Sequence, residues 1–284
     1  MTLEIADAHV HFFSPAFFRS LADQKKAPEV GSLLGWDVPE SPEALADRWV
    51  VEMDRHNVTQ AMLIASIPSD TASVDAAVAR HPARFRGVSM VNPLLPNAIE
   101  EVPAGIFLFP AMHRYSMQND RVSEVIAKAK LVYVHCGVLS VGFRRKLGLP
   151  SVFDMRFSNP IDLHAVALKF PDVRFVIPHF GAGYFREALM VADLCPNVYL
   201  DTSSSNNWMK YQPGAMTLED VFRRTLDVIG PHRVLFGSDS SWFPRGWVSQ
   251  ICDNQVHALT KAGASTEMIQ AILGGNLRAL IAAI

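Results

Sequence analysis

The sequence predicts an α/β fold, a (β/α)8 TIM barrel that occupies residues 1–284 as one domain. Three observations support it: short β-branched or aromatic runs alternate with longer amphipathic stretches, eight such runs can be counted, and several end in a polar residue. A chain of 284 residues that is 49% hydrophobic can bury the core of such a barrel. A doubly wound parallel sheet is the alternative fold.

The eight short runs are the expected strands. Residues 61–65 and 132–134 are continuously apolar, as expected for strands of a parallel sheet that is covered on both faces. A closed barrel also gathers residues from distant strand ends around one point, which an open sheet does less readily. The predicted strands are 4–12, 61–66, 87–93, 105–110, 131–137, 174–180, 198–203 and 234–239.

The longer amphipathic stretches are the expected helices. Ser41-Pro42 and Asn159-Pro160 are start signals for the first and the fourth of them. The third βα unit is the weakest, because residues 96–102 allow only about two helical turns. The predicted helices are 43–56, 71–81, 119–129, 161–170, 183–193, 217–229, 248–262 and 266–283.

Two segments, 13–41 and 138–159, are too long to be plain connectors. Both leave the carboxyl end of a predicted strand, which is the catalytic face of this architecture. One interpretation is that they form a lid or bind substrate. The other is that they close the barrel mouth or make a subunit contact.

Charge and composition exclude several classes of function. A net charge of −2 and a pI near 6.5 give no electrostatic reason to expect binding to nucleic acid or to an anionic membrane. No apolar run reaches the ~18 residues of a transmembrane helix, and no signal peptide is visible. The three cysteines are widely spaced, which suggests reduced thiols and a cytoplasmic location.

The first predicted strand carries the sequence Asp7-Ala8-His9-Val10-His11. Because side chains alternate across a strand, His9 and His11 should point the same way. Two imidazoles, a third from another strand and a carboxylate from a fourth make a Zn²⁺-type site with an open position. Asp7 is expected one layer deeper, as a supporting residue. The alternative is that both histidines are hydrogen-bonded residues of the barrel core.

Other predicted strands also end in metal-binding residue types. His135 and His179 follow the fifth and sixth strands, Asp239 follows the eighth, and Asp201 after the seventh is a less secure candidate. A carboxylate at Asp239 could bind a metal ion and also take a proton from the water that the ion acidifies. Its alternative role is to cap the turn that follows.

Side chains near the same face are candidates for binding substrate. His113 and Arg114 follow the fourth strand, Arg145 lies in the second long segment, and Trp242 follows Asp239. Arginine pairs with a carboxylate bidentately, and an aromatic ring can wall a small pocket. Taken singly, each is equally consistent with a surface or rim position. Further arginine candidates are Arg144, Arg186 and Arg245.

Taken together, five motifs resemble the amidohydrolase superfamily. More narrowly, they resemble the amidohydrolase-related branch that contains aminocarboxymuconate-semialdehyde decarboxylase and the pyrone-dicarboxylate lactonases. The similarity runs from the first strand to the C-terminal helix. The motifs are DAHVH at 7–11, VHCG at 134–137, PHFGAG at 178–183, LFGSD at 235–239 and ILGGN at 272–276.

The resemblance implies a metal site in which His9, His11, His135 and Asp239 are ligands and Asp239 is also the base. His179 matches a histidine that in mononuclear relatives often stays off the metal and polarises the substrate or shuttles protons. Binuclear members place a lysine or acidic residue on the fourth strand, and this strand has neither. One divalent ion is therefore expected, Zn²⁺ first, with Mn²⁺ as the alternative.

The expected function is that of a metal-dependent hydrolase, in which metal-activated water attacks an ester, lactone or amide of a small carboxylated substrate. Asp239 and His179 are the expected catalytic residues. The main alternative is a lyase activity, the non-oxidative decarboxylation of a small aromatic or unsaturated acid. Metal-independent lactone hydrolysis and a non-catalytic binding barrel are further alternatives. The expected partner is a small molecule, with no nucleic acid and no membrane; a homodimer is left open.

Overall fold

The structure, a computed structural model, describes residues 4–139, 141–204 and 206–284. Its strands are β1 (Ile5–Phe12), β2 (Val58–Ala65), β3 (Phe85–Val91), β4 (Gly105–Leu108), β5 (Leu131–Val134), β6 (Arg174–Ile177), β7 (Val198–Asp201) and β8 (Val234–Leu235). They form one parallel sheet in chain order. The Ala8 amide donates to the Phe236 carbonyl and the His11 amide to the Ser240 carbonyl, both at 2.8 Å, which joins the end of β8 to β1. The predicted (β/α)8 barrel is confirmed.

The strand side chains divide into an inner and an outer apolar layer. Along β5, Leu131 and Tyr133 belong to the layer inside the barrel, whereas Val132 and Val134 pack outward against the helices. This alternation is what a strand buried on both faces requires. His135 continues the inward phase beyond Tyr133, so the strand delivers its side chain to the carboxyl-terminal mouth of the barrel.

Most of the helices cover the outside of the barrel, close to their predicted positions, whereas the first, second, fifth and seventh lie in segments where no helix was predicted. They are α1 (Pro15–Lys25), α2 (Val30–Leu34), α3 (Pro42–Arg55), α4 (Thr71–Arg80), α5 (Pro110–His113), α6 (Asp120–Ile126), α7 (Gly142–Lys146), α8 (His164–Lys169), α9 (Phe185–Leu194), α10 (Leu218–Ile229), α11 (Ser249–Lys261), α12 (Thr266–Gln270) and α13 (Asn276–Ala282). The helix predicted at 161–170 begins as a 3-10 turn, and the one at 266–283 contains a π-helical turn, Ala271–Gly275.

The weak third unit has no helix at all. Residues 92–104, which connect β3 to β4, form turns and bends, so the two turns expected at 96–102 are not present. The guanidinium of Arg121 in α6 donates to the carbonyls of Pro93 at 2.7 Å, Leu95 at 2.8 Å and Pro96 at 3.1 Å. One side chain thus satisfies carbonyls that a helix would have paired internally.

Both long segments fold over the barrel mouth. The first contains α1 and α2, and the second contains α7 and a 3-10 turn, Met155–Phe157; its residue 140 is outside the described part. Their aromatic rings meet: Phe13 stacks on Phe17 at 4.1 Å between centroids, and Trp36 stacks on Trp242 at 5.1 Å. With Phe143, these residues form what we term the aromatic cluster, which Phe143 joins at 5.6 Å from Trp36.

Candidate metal and active site

The two histidines of β1 point into the barrel mouth from the same side, with ring centroids 5.1 Å apart. The Nδ1 atom of buried His9 lies 2.6 Å from Oδ2 of Asp201, and Nδ1 of His11 lies 2.9 Å from Oγ of Ser66. The opposite nitrogens face Asp239: its Oδ1 is 3.8 Å from Nε2 of His9 and 3.5 Å from Nε2 of His11. Each ring is therefore held at Nδ1 and offers Nε2 to the site, an arrangement suited to a metal ligand.

His135 and His179 follow β5 and β6, and their ring centroids lie 5.2 Å apart. His135 is buried, and neither ring nitrogen has a hydrogen-bond partner among the described residues. Burial, assisted by the neighbouring histidines, lowers its pKa well below the usual value, so the ring is neutral. His179 has a φ of 57° and its Nδ1 lies 2.7 Å from Oγ of Ser203. Burial lowers the pKa of His179 to about 4.

Asp239 completes the site from the turn after β8. Its backbone is in the left-handed region, at φ 58°, and its amide donates to the His9 carbonyl at 3.0 Å. Burial, together with the nearby Asp201 and Asp7 carboxylates, raises the pKa of Asp239 to about 7, against the opposing charge of Arg245. A carboxyl group with this pKa can both accept and return a proton near neutral pH.

The donor set fits a divalent ion. Ligand atoms of His9, His179 and Asp239 all lie within 4.8 Å of one another. Nε2 of His9 and both nitrogens of His135 are buried without a partner in the described part of the chain, which is costly for polar atoms unless a ligand satisfies them. Neutral imidazoles and a carboxylate are ligands that Zn²⁺ accepts. This compact group includes His179, whereas the predicted ligands His11 and His135 lie around it.

Two residues after β7 connect the histidines behind the site. Asp201 and Ser203 are fully buried, and Oδ1 of Asp201 accepts from the Ser203 amide at 2.6 Å. The Ser203 hydroxyl lies 2.7 Å from Nδ1 of His179 and 3.2 Å from Nδ1 of His9. Burial raises the pKa of Asp201 to about 6, so the group is mainly ionised at neutral pH. The strand-end carboxylate that looked least secure in the sequence is thus bonded to His9.

Asp7 supports the strands instead of facing the site. Its carboxylate accepts from the His9 amide at 2.9 Å, the Ser238 amide at 3.1 Å and the Trp247 indole at 2.7 Å. These bonds connect β1, the end of β8 and the segment that precedes α11. A register shift in the β1–β2 pairing between Asp7 and Val10 accompanies this arrangement. The position agrees with the expected supporting role.

Two cavities meet at Asp239. The first, of about 350 Å³, is walled by the aromatic cluster and also borders His11 and Arg245. The second, of about 260 Å³, borders His135, His179 and Lys210. A larger groove, of about 790 Å³, lies on the outside along α9 and α10, and none of the site histidines lines it. A substrate positioned for reaction at Asp239 would therefore extend into one or both of the two inner cavities.

The predicted substrate-binding residues do not all border the inner cavities. Trp242 lines the first cavity, and the guanidinium of Arg245 lies 5.1 Å from its ring. His113 and Arg114 border neither inner cavity, and Nε of Arg114 donates to the Val152 carbonyl at 3.1 Å. Arg145 is exposed on α7 and also borders neither.

The sequence pattern did not single out the serines that hold the histidines, and it gave Arg245 only as a further candidate for binding a carboxylate. Ser66 follows β2 and Ser203 follows β7, so both stand where the barrel places functional groups. The i, i+2 spacing of Asp201 and Ser203 repeats that of His9 and His11 and was the available signal. Serine is too common at strand ends to be recognised without the histidine beside it.

In the described part of the chain, none of the helices combines the length and the apolar character needed to span a bilayer.

Solved structures with the same fold cover almost the whole chain. An uncharacterised TIM-barrel protein from Bordetella bronchiseptica matches with a TM-score of 0.66 and 18% identity over 99% of each chain. An amidohydrolase from Burkholderia multivorans with bound Zn matches at 0.64 and 15% identity, over 98% of this chain and 99% of that one. A probable 2-pyrone-4,6-dicarboxylic acid hydrolase from Acinetobacter baumannii, with citric acid bound, matches at 0.59 and 14%, over 99% and 100%.

A curated relative matches over part of the chain. Protein fluG of Emericella nidulans is 32% identical over 87 residues, which are 31% of this chain and 10% of that protein. The family model described as Amidohydrolase matches residues 6–281, from the start of β1 to the end of α13. That match includes each of the histidines and carboxylates of the site, and the expected resemblance is confirmed. The chain belongs to the amidohydrolase family.

Proposed function

We propose that the protein is a hydrolase that uses one divalent ion, Zn²⁺ or Mn²⁺, to cleave an ester, lactone or amide bond in a small carboxylated molecule. The observation that carries the proposal is the convergence of His9, His179 and Asp239 at the barrel mouth, beside the unpartnered nitrogens of His9 and His135. His9, His11, His135 and Asp239 would hold the ion. When bound, such an ion supplies an acidified water molecule and positive charge near a developing oxyanion.

The protein's own groups would handle the protons. Asp239, with a pKa raised to about 7, accepts a proton when water attacks and returns it to the leaving group. Asp239 borders both cavities, which supports a role beside the bond to be cleaved in a substrate that extends into both. His179 lies close enough to Asp239 to contact either the ion or the substrate.

The first cavity supports a carboxylated substrate. Arg245 forms no ion pair with an acidic residue within the described part of the chain. Its guanidinium instead contacts Oγ of Ser241 at 2.8 Å and the Asp239 carbonyl at 3.4 Å. A guanidinium beside the reacting groups, with donors to spare, suits a substrate carboxylate. Trp242 and the other rings of the aromatic cluster provide a flat apolar wall for the rest of the molecule. Arg145, His113 and Arg114 remain predictions as substrate residues.

The first experiment is metal analysis by elemental mass spectrometry of protein purified without chelator or an immobilised-metal column. We expect about one Zn or Mn per chain, lost together with turnover in His9→Ala and His135→Ala. The matched control is His257→Ala, because that histidine is exposed on α11. This variant should retain both the bound metal and the turnover. Full activity in either site variant, or protein that takes up no divalent ion, would remove the assignment.

Decarboxylation is the second candidate, and one observation favours it. A carboxyl group with a pKa of about 7 is about half protonated at neutral pH, so Asp239 could protonate a carbanion left by loss of CO2. The two activities use the same residues. Released CO2, measured against ring-opened or deacylated product for the same set of acids, lactones and esters, decides between them. A cytoplasmic location and a homodimer also stay predictions.

A further inference from the structure

His9 and His179 are both connected to one buried carboxylate behind the site, that of Asp201. Nδ1 of His9 lies 2.6 Å from Oδ2 of Asp201. Nδ1 of His179 lies 2.7 Å from the Ser203 hydroxyl, which is itself hydrogen-bonded to the Asp201 side chain. The path therefore runs from His179 through Ser203 to Asp201 and back to His9, and all four groups are buried.

The positions of the hydrogens follow from counting donors and acceptors. An ionised carboxylate only accepts, so the short contact to Asp201 requires a hydrogen on Nδ1 of His9. The Ser203 hydroxyl has one hydrogen, and when it donates to Asp201, its oxygen can only accept from Nδ1 of His179. Every hydrogen along this hydrogen-bond path then points toward the single negative charge on Asp201, which is the electrostatically favoured direction in a buried network.

We propose that Asp201 and Ser203 act together as a positioning pair that fixes both His9 and His179 in the Nδ1–H tautomer, so that both Nε2 lone pairs face Asp239. The inference rests on the proposed metal site and adds His179 to its ligands. It departs from the expectation that His179 stays off the metal and polarises the substrate or shuttles protons, because an Nε2 lone pair cannot donate a hydrogen bond to the substrate. The compact grouping of His9, His179 and Asp239 agrees with this assignment.

The packing leaves little room for another arrangement of the pair. A β-carbon at Gly237 would lie 2.8 Å from Oδ1 of Asp201 and 2.8 Å from Cβ of Ser203, so the backbone after β8 presses directly on both. Gly237 donates its amide to Oγ1 of Thr202 at 3.3 Å, which keeps that backbone in place. The hydroxyl of Ser203 is thus confined between the two imidazoles.

The test is the tautomer of each histidine in metal-free protein, read from long-range ¹H–¹⁵N correlation spectra of ¹⁵N-histidine-labelled samples at neutral pH. We expect unprotonated Nε2 in both His9 and His179. Ser203→Ala should shift His179 toward the Nε2–H form and leave His9 unchanged, whereas Asp201→Asn should disturb both. In the same variants, Zn²⁺ affinity measured by chelator competition should fall about 10- to 100-fold, the usual effect of losing a partner of a ligating histidine.

The matched control is Ser158→Ala, which removes another buried serine hydroxyl, one that donates to the Met155 carbonyl. It should change neither tautomer nor metal affinity. A protonated Nε2 on His179 in the unsubstituted protein would overturn the proposal without the need for any variant. The proposal would also be overturned if Ser203→Ala left the tautomer of His179 unchanged. These readouts need no metal, so they are separate from a failure of the protein to bind ions, which would instead contradict the proposed function.

Discussion

The backbone at Gly237 leaves no room for a side chain beside His9. A β-carbon added at Gly237 would stand 2.9 Å from Cβ of His9, closer than real β-carbons approach other atoms. The contact links the position of the segment after β8 to that of His9, the first residue of the proposed metal site on β1. It explains why the backbone before Asp239 needs a residue with no side chain.

Gly237→Ala should therefore misplace His9. We expect a loss of about 1–3 kcal/mol in the free energy of unfolding, as for other overpacked sites, and at least tenfold weaker Zn²⁺ binding. Chemical denaturation and chelator competition measure the two effects. Gly275→Ala is the control, because a β-carbon there meets only the Gln270 carbonyl oxygen, at 3.6 Å. Unchanged metal affinity in the Gly237 variant would show that the contact does not position His9.

Metal affinity should depend on pH through Asp239. Its pKa of about 7 means that below pH 7 the metal-free group carries a proton, which the ion must displace. The apparent affinity should then fall about fivefold between pH 7 and pH 6, approach a tenfold loss per pH unit below pH 6, and level off above about pH 8. His179, with a pKa of about 4, is already neutral in this range and adds no competition. Isothermal titration at several pH values checks this, and Asp239→Asn should abolish the step.

Arg245 should bind the carboxylate of the substrate. Arg245→Gln should weaken the binding of carboxylated substrates by about 10- to 100-fold, the loss of a charge-assisted hydrogen bond, with less effect on uncharged esters. Arg186→Gln is the matched control, because the Arg186 side chain is 82% exposed and pairs with Glu187. Steady-state kinetics with acid and amide forms of one compound provide the comparison. Equal losses for both forms would contradict a charge-specific role, and Arg145→Gln tests the earlier sequence-based candidate in the same assay.

Trp242 should contribute a stacking surface. The ring stacks on Trp36 and lies under the Arg245 guanidinium, so Trp242→Leu removes one wall of the first cavity. We expect about a 2- to 12-fold lower kcat/KM for substrates with a flat ring, corresponding to about 0.5–1.5 kcal/mol. Trp242→Phe should keep most of the activity. If the kcat/KM of the Leu variant falls equally for substrates without a ring, the loss reflects a structural role of Trp242 and not stacking on the substrate.

The barrel and the main site residues could be predicted because both depend on short-range patterns. His135 and Asp239 follow the ends of apolar strands, whereas His9 lies within β1 in phase with His11, and the strand period fixes the direction of His9 and His135. The relation between Ser203 and His179 could not be found this way, because two residues 24 positions apart reveal no contact in the chain order. The short connection from β3 to β4 makes it the weakest place for a helix in the sequence. Only the structure shows that the Arg121 guanidinium pairs with the carbonyls of this connection instead.

The grouping of His179 with His9 and Asp239 is a feature of the candidate site that the sequence pattern does not indicate. Sequence resemblance placed His11 and His135 among the ligands and His179 outside them. In the structure, ligand atoms of His9, His179 and Asp239 lie within 4.8 Å of one another, and the full ligand set stays a prediction. The left-handed backbone dihedrals after β6 position the ring of His179, and the spacing of residues does not reveal them.

Those dihedrals have a kinetic consequence. The residues from His179 to Gly183 all have positive φ, and three of them, His179, Phe180 and Ala182, carry a β-carbon that disfavours this region by about 1–2 kcal/mol each. Neighbouring backbone holds the turn, since the Val138 amide donates to the Ala182 carbonyl at 2.7 Å. The conformational cost is thus met once, when the barrel folds. The imidazole of His179 is therefore preorganised, and if the proposed metal site is correct, capture of an ion should be limited by shedding of its hydration shell and not by any rearrangement of the turn.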